Sequence, residues 1–145
     1  MSSYRRVVMD TSTLVSAALR RGSLPERALL KALACSDLCA SPETLDELAT
    51  VLRRDKFDCY LGREQRDTFV ALVRRHARLF TVLESELAGV GPHCRDAQDE
   101  KFLALVLTAE ADVLVSSDQD LLVLHPWRGI PIITPEEFVR DSAAP

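Results

Sequence analysis

Apolar residues follow two spacings along this chain. Short apolar runs lie within "RRVVMD" (5–10), "LCAS" (38–41), "RLFTVLE" (78–84), "DVLVS" (112–116) and "IPIIT" (130–134). They show no period-2 alternation of apolar and polar residues, which is the pattern of strands in a parallel sheet covered on both faces. The segments between them read as helices. "TSTLVSAALRRG" (11–22) closes on a glycine, and "LPERALLKALACSD" (24–37) carries proline in its first turn. In 41–57, Ser41 stands as N-cap, Pro42 takes the first helical position, and Glu43 and Glu47 follow close behind. In 63–80, apolar residues at 69, 70, 72 and 73 have helical spacing. The segment 98–111 is apolar on nearly all sides, as a helix between a sheet and a neighbour would be. Residues 117–124 and 135–141 read as short helices, and 85–97 as loop. The chain has no internal repeat, low-complexity tract or linker.

Strands that alternate with helices predict an α/β domain, a three-layer α/β/α sandwich around a parallel sheet of about four to five strands. One domain over residues 5–139 with a short tail at 140–145 suits the 145-residue length. Ligands of such sheets bind beyond the carboxyl ends of the strands, so the residues that end the strands matter most.

Asp10 ends the first strand and Asp118 lies just past the strand at 112–116, so both open onto the same edge of the sheet. Asp99 starts the helix at 98–111, and Phe102, Leu103 and Val106 share its face. Asp99 therefore points toward the sheet. A buried carboxylate without a partner is costly, and three acids in one crevice raise each other's pKa or need a cation. No lysine or histidine in the local segments presents itself as a partner, and a divalent ion resolves the conflict. Hard oxygen donors favour Mg²⁺ or Mn²⁺, the ions of metal-assisted phosphodiester hydrolysis. A fourth acid belongs to "TLDELATVL", where the apolar stripe places Glu47 roughly opposite and Asp46 to one side. Periodicity does not choose between them. Each acid also has a structural explanation. Asp10, Asp96 and Asp118 suit helix caps, Asp99 and Glu100 suit the helix dipole, and Glu47 and Asp120 suit a solvated surface.

Composition adds bounds. The chain is 47% hydrophobic and 28% charged, and no stretch approaches the roughly 18 apolar residues of a membrane span. The apolar run at the N-terminus is interrupted by Asp10, which is unlike a signal peptide, so a cytoplasmic location is expected. The four cysteines then read as reduced thiols, and Cys35 and Cys39 lack the second ligand pair that zinc would need. The net charge of −4 speaks against a general nucleic-acid binder, yet 15 of the 18 basic residues are arginine, suited to phosphate contact and often paired, as in Arg53-Arg54 and Arg74-Arg75. His76 reads as surface, His93 and His125 as structural, and Trp127 as a packing anchor.

"VVMDTSTLVSA", "SPETLDELATVL", "RDAQDEKFLALVL", "ADVLVSSDQDLL" and "IPIITPEEF" occur in the order of a PIN domain. The chain resembles bacterial PIN proteins that serve as toxins of toxin–antitoxin pairs, relatives of the VapC toxins, over nearly its whole length. The resemblance implies a Mg²⁺- or Mn²⁺-dependent ribonuclease that leaves a 5′-phosphate and a 3′-hydroxyl. By position it implies catalytic, metal-binding roles for Asp10, Glu47, Asp99 and Asp118, with Asp96 as a further acid. It selects Glu47 where helix periodicity leaves the choice open. It also implies an RNA substrate, a small antitoxin over the acidic pocket and a homodimer. The chain departs from the pattern at three places. Ser12 replaces an asparagine, Ser116-Ser117 replace Thr-Gly, and Glu100 replaces an asparagine. Serine keeps a hydroxyl at 12 and 116, where it can orient a carboxylate or water, so an intact site is expected. The alternative is a weak or inactive PIN module that acts by binding protein or RNA. A receiver-like phosphoacceptor domain is disfavoured, because "DTST" and "IPIITPEE" lack its acid pair and its lysine.

Overall fold

The computed structural model describes residues 4–90 and 99–142. Five strands, β1 (Arg6–Met9), β2 (Asp37–Ala40), β3 (Arg78–Leu79), β4 (Val113–Val115) and β5 (Ile132–Ile133), form one parallel sheet in the order β3-β2-β1-β4-β5. The helices among the described residues are α1 (Thr11–Leu19), α2 (Leu24–Cys35), α3 (Pro42–Leu52), α4 (Arg63–His76), α5 (Glu84–Val90), α6 (Glu100–Ala109), α7 (Gln119–Leu122) and α8 (Pro135–Ser142). A 3₁₀ turn at Asp55–Phe57 follows α3.

Alternate strand residues feed opposite cores. Val7 and Met9, Leu38 and Ala40, Val113 and Val115 face a core built with α1, α2, α3, α4 and α8. Val8, Cys39, Leu114 and Ile132 face the other, with α6, Leu121 of α7 and Trp127. Both faces are covered, which is why the strands carry no polar alternation. The expected three-layer α/β architecture is the one observed. Cys39 sits in the second core, where burial above all pushes its thiol up to about 11, while Cys35 is exposed. Buried there, the Cys39 thiol is inert.

Local signals set several boundaries as expected. Ser41 caps α3 in a reciprocal pair: its Oγ accepts the Thr44 N–H at 3.2 Å, and Thr44 Oγ1 accepts the Ser41 N–H at 3.0 Å. Gly22 supplies a left-handed turn residue, φ +76°, between α1 and α2. Arg66 of α4 lies fully inside: it donates to Leu52 O at 2.6 Å and Arg54 O at 3.1 Å and pairs with Asp58. It caps the carboxyl end of α3 from the neighbouring helix.

Two segments differ from expectation. β3 covers only Arg78–Leu79, not 78–84, because its partner β2 ends at Ala40 and the chain turns there into the α3 cap. Residues 85–90 of the expected loop, with Glu84, form α5, anchored by the fully buried Val90, and the rest of that loop lies outside the described residues. One buried anchor leaves no periodicity to read. No described helix is long and apolar enough to cross a membrane.

The topology places the candidate site. The chain builds outward from β1 through β2 to β3, then returns to β4 on the other side of β1. The crevice beyond the carboxyl ends of β1 and β4 lies at that reversal, where open parallel sheets take ligands.

Candidate metal centre

β1 and β4 run side by side with Met9 opposite Val115. The next residues, Asp10 and Ser116, therefore meet at the mouth of the crevice, and both are buried. Asp10 is the N-cap of α1: its Oδ1 accepts the Thr13 N–H at 3.0 Å. Its Oδ2 accepts the Ser116 hydroxyl at 2.6 Å and, more weakly, the Ser12 hydroxyl at 3.4 Å. Ser116 Oγ also accepts the Asp118 N–H at 2.9 Å, so one buried hydroxyl ties the two strand-end acids together. Burial raises the Asp10 pKa above the ordinary aspartate value, and the charge of Asp118 adds to the rise; hydrogen bonds from Ser116 and Thr13 oppose it.

Asp118 caps α7, accepting the Asp120 N–H at 2.9 Å. Asp99 sits at the N-cap of α6, buried beside Phe102 and Leu103, and its side chain makes no capping hydrogen bond to that helix. Capping therefore accounts for Asp10 and Asp118 but not for Asp99. Instead, Asp99, Asp118 and Asp120 each bring a carboxylate oxygen within 4.8 Å of one another. Asp10 lies beside this trio, joined to it through Ser116.

Asp120 was expected to be merely exposed. It is half-buried and belongs to the cluster. Only three residues separate α7 from the end of β4, so its first turn, not its outer face, borders the crevice. Glu47 turns toward the site. Its Oε2 accepts the Thr11 hydroxyl at 2.6 Å, and its Oε1 lies 3.3 Å from Lys101 Nζ. Asp46 faces outward and pairs with Arg74 at 3.6 Å. The lysine partner not seen in the sequence is thus Lys101, two residues beyond Asp99. It is the cation in the first turn of an otherwise apolar helix, and that was the available signal. Asp96, Cys94 and His93 lie outside the described residues. His125 accepts the Ile132 N–H at 2.9 Å through Nδ1 and so holds the entry to β5. Trp127 is buried in the second core.

The family model for the PIN domain matches residues 6–120, most of the chain and all of the acids described here. The chain belongs to the PIN domain family. No curated protein matches its sequence. Among solved structures, this PIN domain is similar to PAE2754 from Pyrobaculum aerophilum, with TM-score 0.67 and 16% identity over 97% of this chain and 91% of that one. It is similar to VapBC2 from Rickettsia felis, described as bound to a DNA fragment from its promoter, with TM-score 0.66 and 12% identity over 89% of this chain and 98% of that one. It is also similar to VapC20 of Mycobacterium tuberculosis, a Sarcin-Ricin loop cleaving toxin, with TM-score 0.58 and 14% identity over 82% of this chain and 95% of that one. At these identities the likeness is one of fold.

Proposed function

We propose that this PIN protein is a divalent-cation-dependent endoribonuclease, the toxin of a toxin–antitoxin pair. The convergence of Asp99, Asp118 and Asp120 at the switch point of the sheet carries the reading. The donor set fits a hard cation. All three donors are carboxylate oxygens, with no thiol or imidazole in the group, as Mg²⁺ and Mn²⁺ prefer. These three would hold the ion, with Asp10 and Glu47 beside them. A bound Mg²⁺ or Mn²⁺ supplies Lewis acidity and lowers the pKa of water.

The chain's own residues do the rest. Ser116 and the Thr13 N–H fix both oxygens of Asp10. Thr11 and Lys101 do the same for Glu47. The acids are thereby held in one geometry, and little reorganisation is needed when substrate arrives. Lys101 places a positive charge at the edge of an otherwise anionic crevice, where a phosphate can approach. The similar fold of a VapC toxin supports the toxin role, and with it an antitoxin covering the crevice, a homodimer and a cytoplasmic setting. Cleavage would leave a 5′-phosphate and a 3′-hydroxyl.

The test is incubation of purified protein with RNA in magnesium buffer, beside Asp118→Asn. The proposal expects cleavage that chelator abolishes and that the variant reduces by about 100-fold or more. Equal cleavage by both proteins would assign the activity to a contaminant and end the reading.

A further inference from the structure

A cavity of about 250 Å³ opens beside the acidic crevice, between the start of α3 and α5. Val82, Leu83 and Leu87 form its apolar wall, and Glu43, Glu84 and Lys101, with Ser41, supply its polar groups. Two of the wall residues are large and exposed, Leu83 at 58% and Leu87 at 42%. The cavity is smaller than the roughly 300–1,000 Å³ of drug-sized pockets, a scale suited to a single flat ring system. Lys101 belongs to both places. It lines the cavity, and its Nζ lies 3.3 Å from Glu47 Oε1 in the candidate site.

We propose that this cavity is a guanine subsite of the nuclease. It takes an unpaired base of the RNA strand that lies at the acids, and it rests on the ribonuclease reading above. RNA is read in sequence mainly through bases splayed out of the stack, packed on side chains and hydrogen-bonded along their edges. The cavity has both parts. The leucine and valine side chains offer apolar packing to the faces of the ring. The exposed side chains of Glu43 and Glu84 are acceptors when ionised, and Lys101 is a donor. Guanine sets two adjacent donors, N1–H and the N2 amino group, next to an acceptor, O6. That edge matches carboxylates beside an ammonium. Uracil presents two carbonyl acceptors around a single N–H and matches poorly.

The experiment uses the full chain with methyl-labelled leucine and valine, titrated by NMR in magnesium buffer with guanosine 5′-monophosphate and, separately, with uridine 5′-monophosphate. The expected result is saturable shifts of the Val82, Leu83 and Leu87 methyls, with the guanine nucleotide bound about ten-fold tighter, the worth of about one hydrogen bond to a charged group. The exposed pair of changes Glu43→Gln and Glu84→Gln should bring the two affinities together while the methyl spectrum stays that of the folded protein. Equal affinity for both nucleotides in the unaltered protein overturns the guanine assignment. No shift with either overturns the subsite and leaves the cavity to an apolar side chain of a protein partner. The readout does not depend on turnover. RNA cleavage without the methyl shifts defeats the subsite alone, and methyl shifts without RNA cleavage defeat the nuclease reading alone.

Discussion

Ser116 Oγ stands 2.6 Å from Asp10 Oδ2, fully buried on the seam between β1 and β4, and accepts the Asp118 N–H with its remaining capacity. A single hydroxyl thus holds the acid that ends one strand and the acid that follows the next. Ser116→Ala removes a donor to a buried carboxylate and leaves the Asp118 N–H without its acceptor. Hydrogen bonds to charged groups are worth about 1.5–3 kcal/mol. The variant should lose about 2 kcal/mol in urea unfolding, and it should bind divalent cations more weakly because Asp118 is no longer positioned.

The raised pKa of Asp10 fixes the sign of a pH effect. In the folded, cation-free protein burial disfavours the ionised form. The contribution of Asp10 to stability is therefore fully present below the unfolded aspartate pKa and lost as pH rises through the higher folded value. At neutral pH, in chelator, Asp10→Asn should melt above the parent protein. The gap should close as pH falls toward the ordinary aspartate range. Melting curves of both proteins across that range check it, and a gap that widens on acidification would contradict it.

Lys101 and Glu47 form a partly exposed pair, with 25% and 22% of their side chains accessible. Pairs of this kind add about 0–1 kcal/mol, so Lys101→Met should leave the melting temperature nearly unchanged. The same change removes a positive charge from beside the acids. Mn²⁺ should then bind more tightly, while RNA cleavage falls because the crevice loses the lysine that favours the approach of an anionic substrate. Calorimetry and a cleavage assay on one preparation separate the two effects.

Arg66 is the charge that the fold, not the site, requires. It is 1% exposed and satisfies the carbonyls of Leu52 and Arg54. Arg66→Ala leaves those acceptors buried and opens a cavity, a loss of about 3 kcal/mol by urea titration. Cation binding by the folded fraction should be unchanged, since Arg66 touches none of the clustered acids.

Much of this was legible from the chain. Apolar runs without alternation marked the strands because each strand serves two cores, as Val7 and Val8 do. Ser41 and Pro42 marked the start of α3 because capping is local chemistry. Asp10, Asp99 and Asp118 could be brought to one edge because strand ends and helix starts in a parallel sheet share that edge. Asp120 was not legible, and Lys101 showed only as the lone cation in the first turn of an apolar helix. Their roles depend on where a short helix begins relative to the crevice and on which helix lies across from it, and both are set by tertiary packing. Helix periodicity could not choose between Asp46 and Glu47, which are one residue apart; the family resemblance selected Glu47, and its contacts with Thr11 and Lys101 turn it toward the site. α5 was missed because a single buried residue, Val90, holds it.

The central claim is that Asp99, Asp118 and Asp120 share one divalent cation. Isothermal titration of Mn²⁺ into chelator-treated protein tests it most directly, beside Asp99→Asn and Asp118→Asn, with Asp46→Asn as a control on the outward face. Saturable binding by the parent and the control, weakened at least about ten-fold in each of the two site variants, is the predicted result. Equal binding by all four proteins, or no binding by the parent at millimolar Mn²⁺, would contradict the claim.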